Sequence, residues 1–436
     1  DFYDPKVNRF STFIKKSNSL TRVTGFSIRS ILEESEDVVW LSTDVLFRWN
    51  RRTGEIKSYE TDSYRPDDFG NTGAWAIIKS HDGKIWAATN EGVYCYDSQK
   101  NKIKQYKFNI ADTSGLPQKE VYAVFEDHQN NIWAATESFF CKLVDVDDGT
   151  FQNYRYLETL RYNQRTRPVI YQDDKERFWI GTRTGLILFD LQKKSFYTYK
   201  NDPEIPNSLN NNIINSICPD PLMKDSVLWI GTSGGGLNRF NVVSGTFAHF
   251  TEKDGLPNNV VYGILPDEMG NLWLSTNKGL SKFNPNQITF RNYNINDGLQ
   301  SNEFNTGAYY RSKKGELFFG GIKGLNYFYP NEIKDNPFVP QIVLTNLKLN
   351  EKYVSNKFKN SVLRKTISET NKIVLSYDDI ITFEFAALDY SAPEKNQYAY
   401  KLKNFNSDWI YSGTNRTATY TNLPSGEYVF QVKGTN

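Results

Sequence analysis

The chain has three imidazoles, at His81, His128 and His249, and proton transfer at neutral pH most often depends on this side chain. A Ser-His-Asp or Cys-His hydrolase needs one of them beside its nucleophile. His81 and His128 sit in equivalent turns, each five residues before a tryptophan (Trp86 and Trp133), and His249 falls in an outer strand. All three read as solvated loop or edge residues. Cys95, Cys141 and Cys218 show no C-x-x-C spacing and lie in strand-like runs, so they read as small buried hydrophobes and not as a zinc or redox site. The run SGGGLNRF at 233–240 lacks a P-loop lysine and precedes a strand instead of a helix, which argues against nucleotide binding. The acidic turns DHQNN, DEMGN and HDGK each offer too few oxygen ligands for calcium. No metal or cofactor is expected.

Two carboxylates suffice for sugar hydrolysis, which leaves an enzyme reading open. Asp44, Glu91, Glu120, Glu137 and Glu303 fall near predicted ring entrances, yet they come from different repeat positions and form no evident pair. A binding reading has more material. Aligned inner strands put Arg29, Trp75, Tyr122, Pro168, Asn215, Tyr262 and Gly307 at one equivalent position, and short connections add Asn90, Arg183, Lys278 and Lys323. Aromatic faces there stack on sugar rings, and cations pair with sulfate or carboxylate groups. The plainer alternative is that the aromatics cap the blade cores and the cations are solvated surface.

The elements that must position these residues follow from composition and repetition. Lys and Arg number 52 against 50 Asp and Glu, a net charge of +2 with no basic block, so the chain is not expected to contact nucleic acid. Aromatics reach 15% while Met numbers 2, a balance that favours strands. Runs such as Ile342–Leu344 fall far short of the roughly 18 apolar residues of a membrane helix, and no leader precedes Asp1. With no initiator Met and an abrupt end at Asn436, the chain reads as a piece of a longer protein.

One unit recurs: an alternating apolar run, a polar turn, a Trp followed by small residues and Thr, then Gly-Leu and an aromatic. Its anchors are Trp40, Trp86, Trp133, Trp179, Trp229, Trp273 and, in the last copy, Phe318, spaced by 46, 47, 46, 50, 44 and 45 residues. That is the length of one four-stranded propeller blade. The expectation is an all-β chain with a seven-bladed β-propeller over 1–336. The anchors pack between blades and are not sugar platforms. The seventh unit runs into Pro330 without an outer strand, and Val7–Phe13 is expected to supply it. Residues 337–436 then read as an immunoglobulin-like β-sandwich, incomplete at its C-terminus, with strands including KIVLSY and IITFEFAALDY. Tyr400, Tyr420 and Tyr428 alternate with apolar neighbours and read as structural.

The repeat resembles the regulator-propeller repeat. Phe383–Asn436 resembles the triple-tyrosine domain that follows such propellers, through FEFAALDYSAP at Phe383–Pro393, YAYKLKNFNSDW at Tyr398–Trp409 and TNLPSGEYVFQVKGTN after Tyr420. This order is similar to the periplasmic sensor region of Bacteroides-type hybrid two-component histidine kinases. The resemblance implies an oligosaccharide ligand, for which the cations at the mouth suit an acidic sugar, and a homodimer formed through the full-length protein. It also implies membrane attachment by a segment outside this sequence and control of carbohydrate-utilisation genes. In such proteins a kinase, a receiver and an AraC-type DNA-binding module follow. The alternatives are a carbohydrate-active enzyme on a propeller scaffold and a protein-interaction propeller without catalysis.

Overall fold

The computed structural model describes residues 10–13, 26–59, 73–157, 167–224, 226–333, 341–358, 361–376, 378–388 and 396–435. The chain separates into two compact units, one spanning Asn8–Ile333 and the other containing Lys334–Asn436.

In the first unit the described residues form seven four-stranded antiparallel sheets. Six are consecutive in sequence, beginning with the strands Ser30–Ser35, Val38–Ser42, Leu46–Asn50 and Ile56–Ser58. Their inner strands touch in order, and the inner strand of the last sheet, Phe304–Arg311, touches that of the first, which closes the ring. The seventh sheet is completed by Ser11–Phe13, which pairs antiparallel with Gly324–Phe328. The expected strap began at Val7; residues 7–9 lie outside the described residues.

The repeated residues explain why each sheet forms. Trp40, Trp133, Trp179, Trp229 and Trp273 are fully buried, as is Phe318, and Trp86 nearly so. An indole N–H buried this deeply needs an acceptor. In the third sheet Trp133 Nε1 donates to Asp127 Oδ2 at 2.8 Å, while Asp127 Oδ1 accepts from the backbone N–H groups of Gln129 and Asn131. One buried carboxylate thus closes the turn and anchors the ring stack. Asp173, Asp220 and Asp267 do the same for Trp179, Trp229 and Trp273, while the Trp86 and Trp40 indoles donate to the Ser80 hydroxyl and the Glu34 carboxylate. In the seventh sheet, where Phe318 has no N–H to satisfy, the corresponding residue is Ser312, whose hydroxyl accepts from the backbone N–H of Glu316. The acids of DHQNN and DEMGN are therefore tryptophan caps, whereas in HDGK the Asp82 carboxylate accepts from the capping Ser80 hydroxyl. The glycine of each Gly-Leu is also fixed by geometry: Gly92 and Gly279 have φ of 107° and 102°, and a Cβ there would lie 2.0 Å from the carbonyl oxygens of Tyr106 and Tyr293.

The second unit has two sheets, one of four strands that includes Ile342–Leu349 and Ile381–Ala387, and one of three that includes Gln397–Lys403 and Val429–Thr435. Phe385, Tyr398, Leu402, Ala418 and Tyr420 form its core, with Phe383 stacked on Phe430 at 4.1 Å. Tyr420 is buried within this cluster and Tyr400 and Tyr428 pack against it, a structural role for all three. KIVLSY departs from expectation: 372–376 is not a strand, and Val374 is 76% exposed. Among the described residues no strand pairs with it. The strand Ile410–Gly413, which sequence pattern does not separate, borders Gln397–Lys403 instead. No helix among the described residues is long and apolar enough to cross a membrane.

Candidate functional site

Each inner strand begins at one end of the ring axis, so equivalent residues of all seven sheets converge there. They enclose a cavity of about 470 Å³ lined by Arg29, Trp75, Tyr122, Asn215 and Tyr262 from the aligned inner-strand position, with Arg183 from a short connection. Asn305 lines it for the seventh sheet. The cavity continues along the axis past Trp75, Tyr122 and Arg167 into a wider space of about 1110 Å³ reached by Pro168, Gly307 and Tyr309.

The aromatic side chains here are held in place. Trp75 Nε1 donates to Asn90 Oδ1 at 2.7 Å, and the Tyr262 hydroxyl donates to Asn277 Oδ1 at 2.9 Å. Both acceptors stand four residues after their tryptophan anchor. The Tyr122 hydroxyl donates to Glu120 instead, and the Tyr122 ring lies 6.1 Å from that of Trp75. Burial, reinforced by the Glu303 carboxylate, raises the Tyr262 phenol above its ordinary pKa, which keeps it a hydrogen-bond donor. The asparagines hold the ring itself. Asn215 Nδ2 donates to Val261 O at 3.0 Å, and Asn305 Nδ2 donates to Ile28 O at 2.7 Å. Each clamps one inner strand to the next, the second across the ring closure.

The cations divide. Arg29 forms an ion pair with Asp44 and holds its guanidinium carbon 5.1 Å from the Trp75 ring centroid. Arg183 lines the cavity. Lys278 and Lys323 do not; both are exposed and stand one residue beyond the position that faces the axis. Alignment of the repeats does not find Arg167. Its guanidinium carbon is 4.1 Å from the Trp75 ring centroid, but the aligned position is held by its neighbour Pro168. Only the stacking partner, from a different sheet, reveals it.

The catalytic candidates do not assemble. Asp44, Glu91, Glu120, Glu137 and Glu303 are absent from the cavity lining. Asp44 pairs with Arg29, Glu91 with Lys119 at 2.8 Å and Glu120 with Tyr122. His81 Nδ1 bonds Glu126 Oε1 at 2.7 Å between neighbouring sheets, and His249 Nε2 contacts the Ser208 carbonyl at 2.8 Å. Cys95, Cys141 and Cys218 are free and buried. No group of three or more potential metal ligands occurs among the described residues.

Comparison with known proteins agrees with this architecture. The family profile described as "Two component regulator propeller" matches 115–138 and 255–278, and the "Y_Y_Y domain" profile matches 389–436. The chain thus pairs two-component regulator propeller repeats with a Y_Y_Y domain. It is 30% identical over 282 residues to histidine kinase P4 of Formosa agariphila, a match covering 63% of this chain and 20% of that protein. The chain therefore spans about a fifth of that relative's length. A catalytically inactive virginiamycin B lyase from Staphylococcus aureus, solved with quinupristin, aligns with a TM-score of 0.52 at 16% identity. That alignment covers 73% of this chain and 98% of the lyase, a likeness of fold. The extracellular domain of a putative one-component system from B. thetaiotaomicron aligns over 96% of this chain and 73% of its own, at 19% identity and a TM-score of 0.36.

Proposed function

We propose that this chain is part of the periplasmic ligand-sensing region of a hybrid two-component sensor kinase, and that an oligosaccharide binds in the axial mouth of the propeller. One observation carries the reading: an indole, two phenols and three guanidiniums, drawn from several blades, face a single cavity of about 470 Å³, with the indole fixed by Asn90 and the Tyr262 phenol by Asn277. Pre-oriented aromatic faces with polar groups at their edges suit a pyranose ring, which has apolar C–H faces and a hydroxyl rim. A carbohydrate-active enzyme would need converging carboxylates, and the described residues that line the 470 Å³ cavity include none.

Signalling in this reading is conformational. The sugar favours one arrangement of the sensor over another by its differential affinity, and that difference sets the kinase and the transcription of carbohydrate-utilisation genes. Membrane attachment and homodimer formation reside in the longer protein. The experiment is a glycan-binding screen, on this chain and on the complete periplasmic region, with Trp75→Ala and Arg183→Ala variants. A hit whose affinity falls in both variants supports the mouth. A hit unaffected by either places the sugar elsewhere, and pull-down of a protein partner with no glycan hit favours the interaction-propeller alternative.

A further inference from the structure

We infer that the wider axial space behind the mouth is a second sugar subsite, and that the site takes a linear oligosaccharide end-on, past a collar built by the seventh blade. This rests on the reading of the mouth as the sugar site and names the ligand shape it selects.

In three blades the residue at the axis is a bulge. Trp75, Asn215 and Tyr262 each stand between paired neighbours with no residue opposite them on the second strand. A bulge of this kind bends the strand and re-aims the extra side chain. The seventh blade carries the device further. Its inner strand pairs Phe304 with Gly321 and next Tyr309 with Phe319, so four residues, 305–308, stand opposite Gly320 alone. Asn305 makes the clamp to the next inner strand that Asn215 makes in the fifth blade, and Thr306 and Gly307 follow as an insertion at the axis. Gly307 has a φ of 79°, and a Cβ on it would lie 3.3 Å from the Arg29 carbonyl oxygen and 3.8 Å from that of Trp75. The insertion therefore reaches past the first blade to the second. Thr306 lines both the mouth and the wider space, as do Trp75, Tyr122 and Arg167. These four side chains form the collar between the two spaces.

The wall beyond the collar suits a sugar chain. The space of about 1110 Å³ is lined by the consecutive residues 30–36, 75–83, 122–126 and 167–170. Side chains of a strand alternate between its two faces, so an unbroken run of lining residues means that the strand edge itself faces the space. Each inner strand is the edge of its sheet, and an edge presents a row of backbone N–H and C=O groups. Hydroxyl groups around a pyranose both donate and accept, and such a row answers them along the whole axis. Among the described residues the fifth and sixth blades add nothing to this lining. The ring of Tyr309 stands in their place, against Gly263, where a Cβ would lie 2.4 Å from Tyr309 Cδ1. It gives the second space an aromatic surface, as Trp75 and Tyr122 do for the mouth. The inner strand Ser30–Ser35 rises about 20 Å from mouth to far turn, room for several sugar rings end to end.

The test titrates linear xylo-oligosaccharides, oligogalacturonates and laminari-oligosaccharides, each graded from two to six sugars, into the intact chain and into Thr306→Trp, which fills the collar. A second measurement, hydrogen exchange of the intact chain with the shortest and longest member of each series, follows the amides of 31–34 and 76–79 beyond the collar. A chain long enough to pass the collar is expected to bind roughly tenfold more tightly than its disaccharide, the weight of one more stacked ring. Thr306→Trp should abolish this gain, so that all lengths bind alike. The longest member should slow exchange beyond the collar, and the disaccharide should not. If Thr306→Trp does not fold, the exchange pattern decides alone. Binding that is independent of length, or exchange that slows only at the mouth with the longest chain bound, overturns the second subsite while the sugar site stands. Absence of binding at every length in all three series overturns the sugar reading and the subsite with it.

Discussion

Two N–H groups of Arg51 donate to the two carboxylate oxygens of Glu316 at 2.7 and 2.8 Å, across 265 residues of sequence. The pair joins the first blade to the last, where the ring closes. Glu316 is 5% exposed, and the Arg51 guanidinium lies 4.8 Å from the Tyr327 ring centroid and 5.5 Å from that of Phe318. Its hydrogen bonds to Glu316, against the opposing effect of burial, hold Arg51 above its ordinary pKa. The seam thus uses a charge pair beside the one anchor that is not tryptophan.

Glu316→Ala would leave the half-buried Arg51 without this counter-charge, a change that costs up to about 3 kcal/mol. The double substitution Arg51→Met with Glu316→Leu removes both charges and should recover most of the loss. Urea unfolding of the two variants checks this; equal midpoints for Glu316→Ala and the parent would mean that ring closure does not depend on the pair.

The strap makes a second prediction. Phe10 is 3% exposed and meets Tyr293 and Phe328 edge-on at 5.3 and 4.8 Å, just ahead of the pairing of Ser11–Phe13 with the last blade. Phe10→Ala should cost about 3 kcal/mol. Deleting 1–14 should lower the melting midpoint further, because it also leaves the outer edge of Gly324–Phe328 unpaired. A truncated chain that melts with the parent contradicts closure by this strand.

The sequence displays the blades because packing imposes the same demand on each: a large anchor, a cap for its N–H and a glycine beside the next outer strand. Trp133 with Asp127 and Trp273 with Asp267 show how local that demand is, since cap and anchor lie six residues apart. The mouth is legible only where it obeys the repeat. Arg29, Trp75, Tyr122 and Tyr262 follow from alignment, whereas Arg167 does not, because its place is set by an indole from another blade. Lys278 and Lys323 fall one residue past the axial position, and in a tight connection one residue turns a side chain from the axis to solvent. The Val374 segment carries strand-like alternation, yet among the described residues no strand pairs with it, which period alone does not reveal.

The cysteines give a prediction in pH. Burial raises the Cys95 and Cys218 thiols to about 12 and raises Cys141 as well, against roughly 8.5 in an unfolded chain. These are acids whose folded pKa is raised, so the native state retains protons that the unfolded state releases. Stability is therefore full below about pH 8.5 and declines as pH rises from there toward 12. A disulfide reagent at pH 8 should label none of the three until urea unfolds the chain. Rapid labelling of any one in the native protein contradicts its buried placement.

The central claim is that the axial mouth receives the sugar. Isothermal titration of a glycan identified by the screen, into the parent and into Trp75→Ala and Arg183→Ala, tests it most directly. The account predicts a loss of roughly tenfold or more in affinity for Trp75→Ala, the weight of one stacked ring with its polar edge, and a smaller loss for Arg183→Ala, with both variants melting as the parent does. Unchanged affinity in both variants would contradict it.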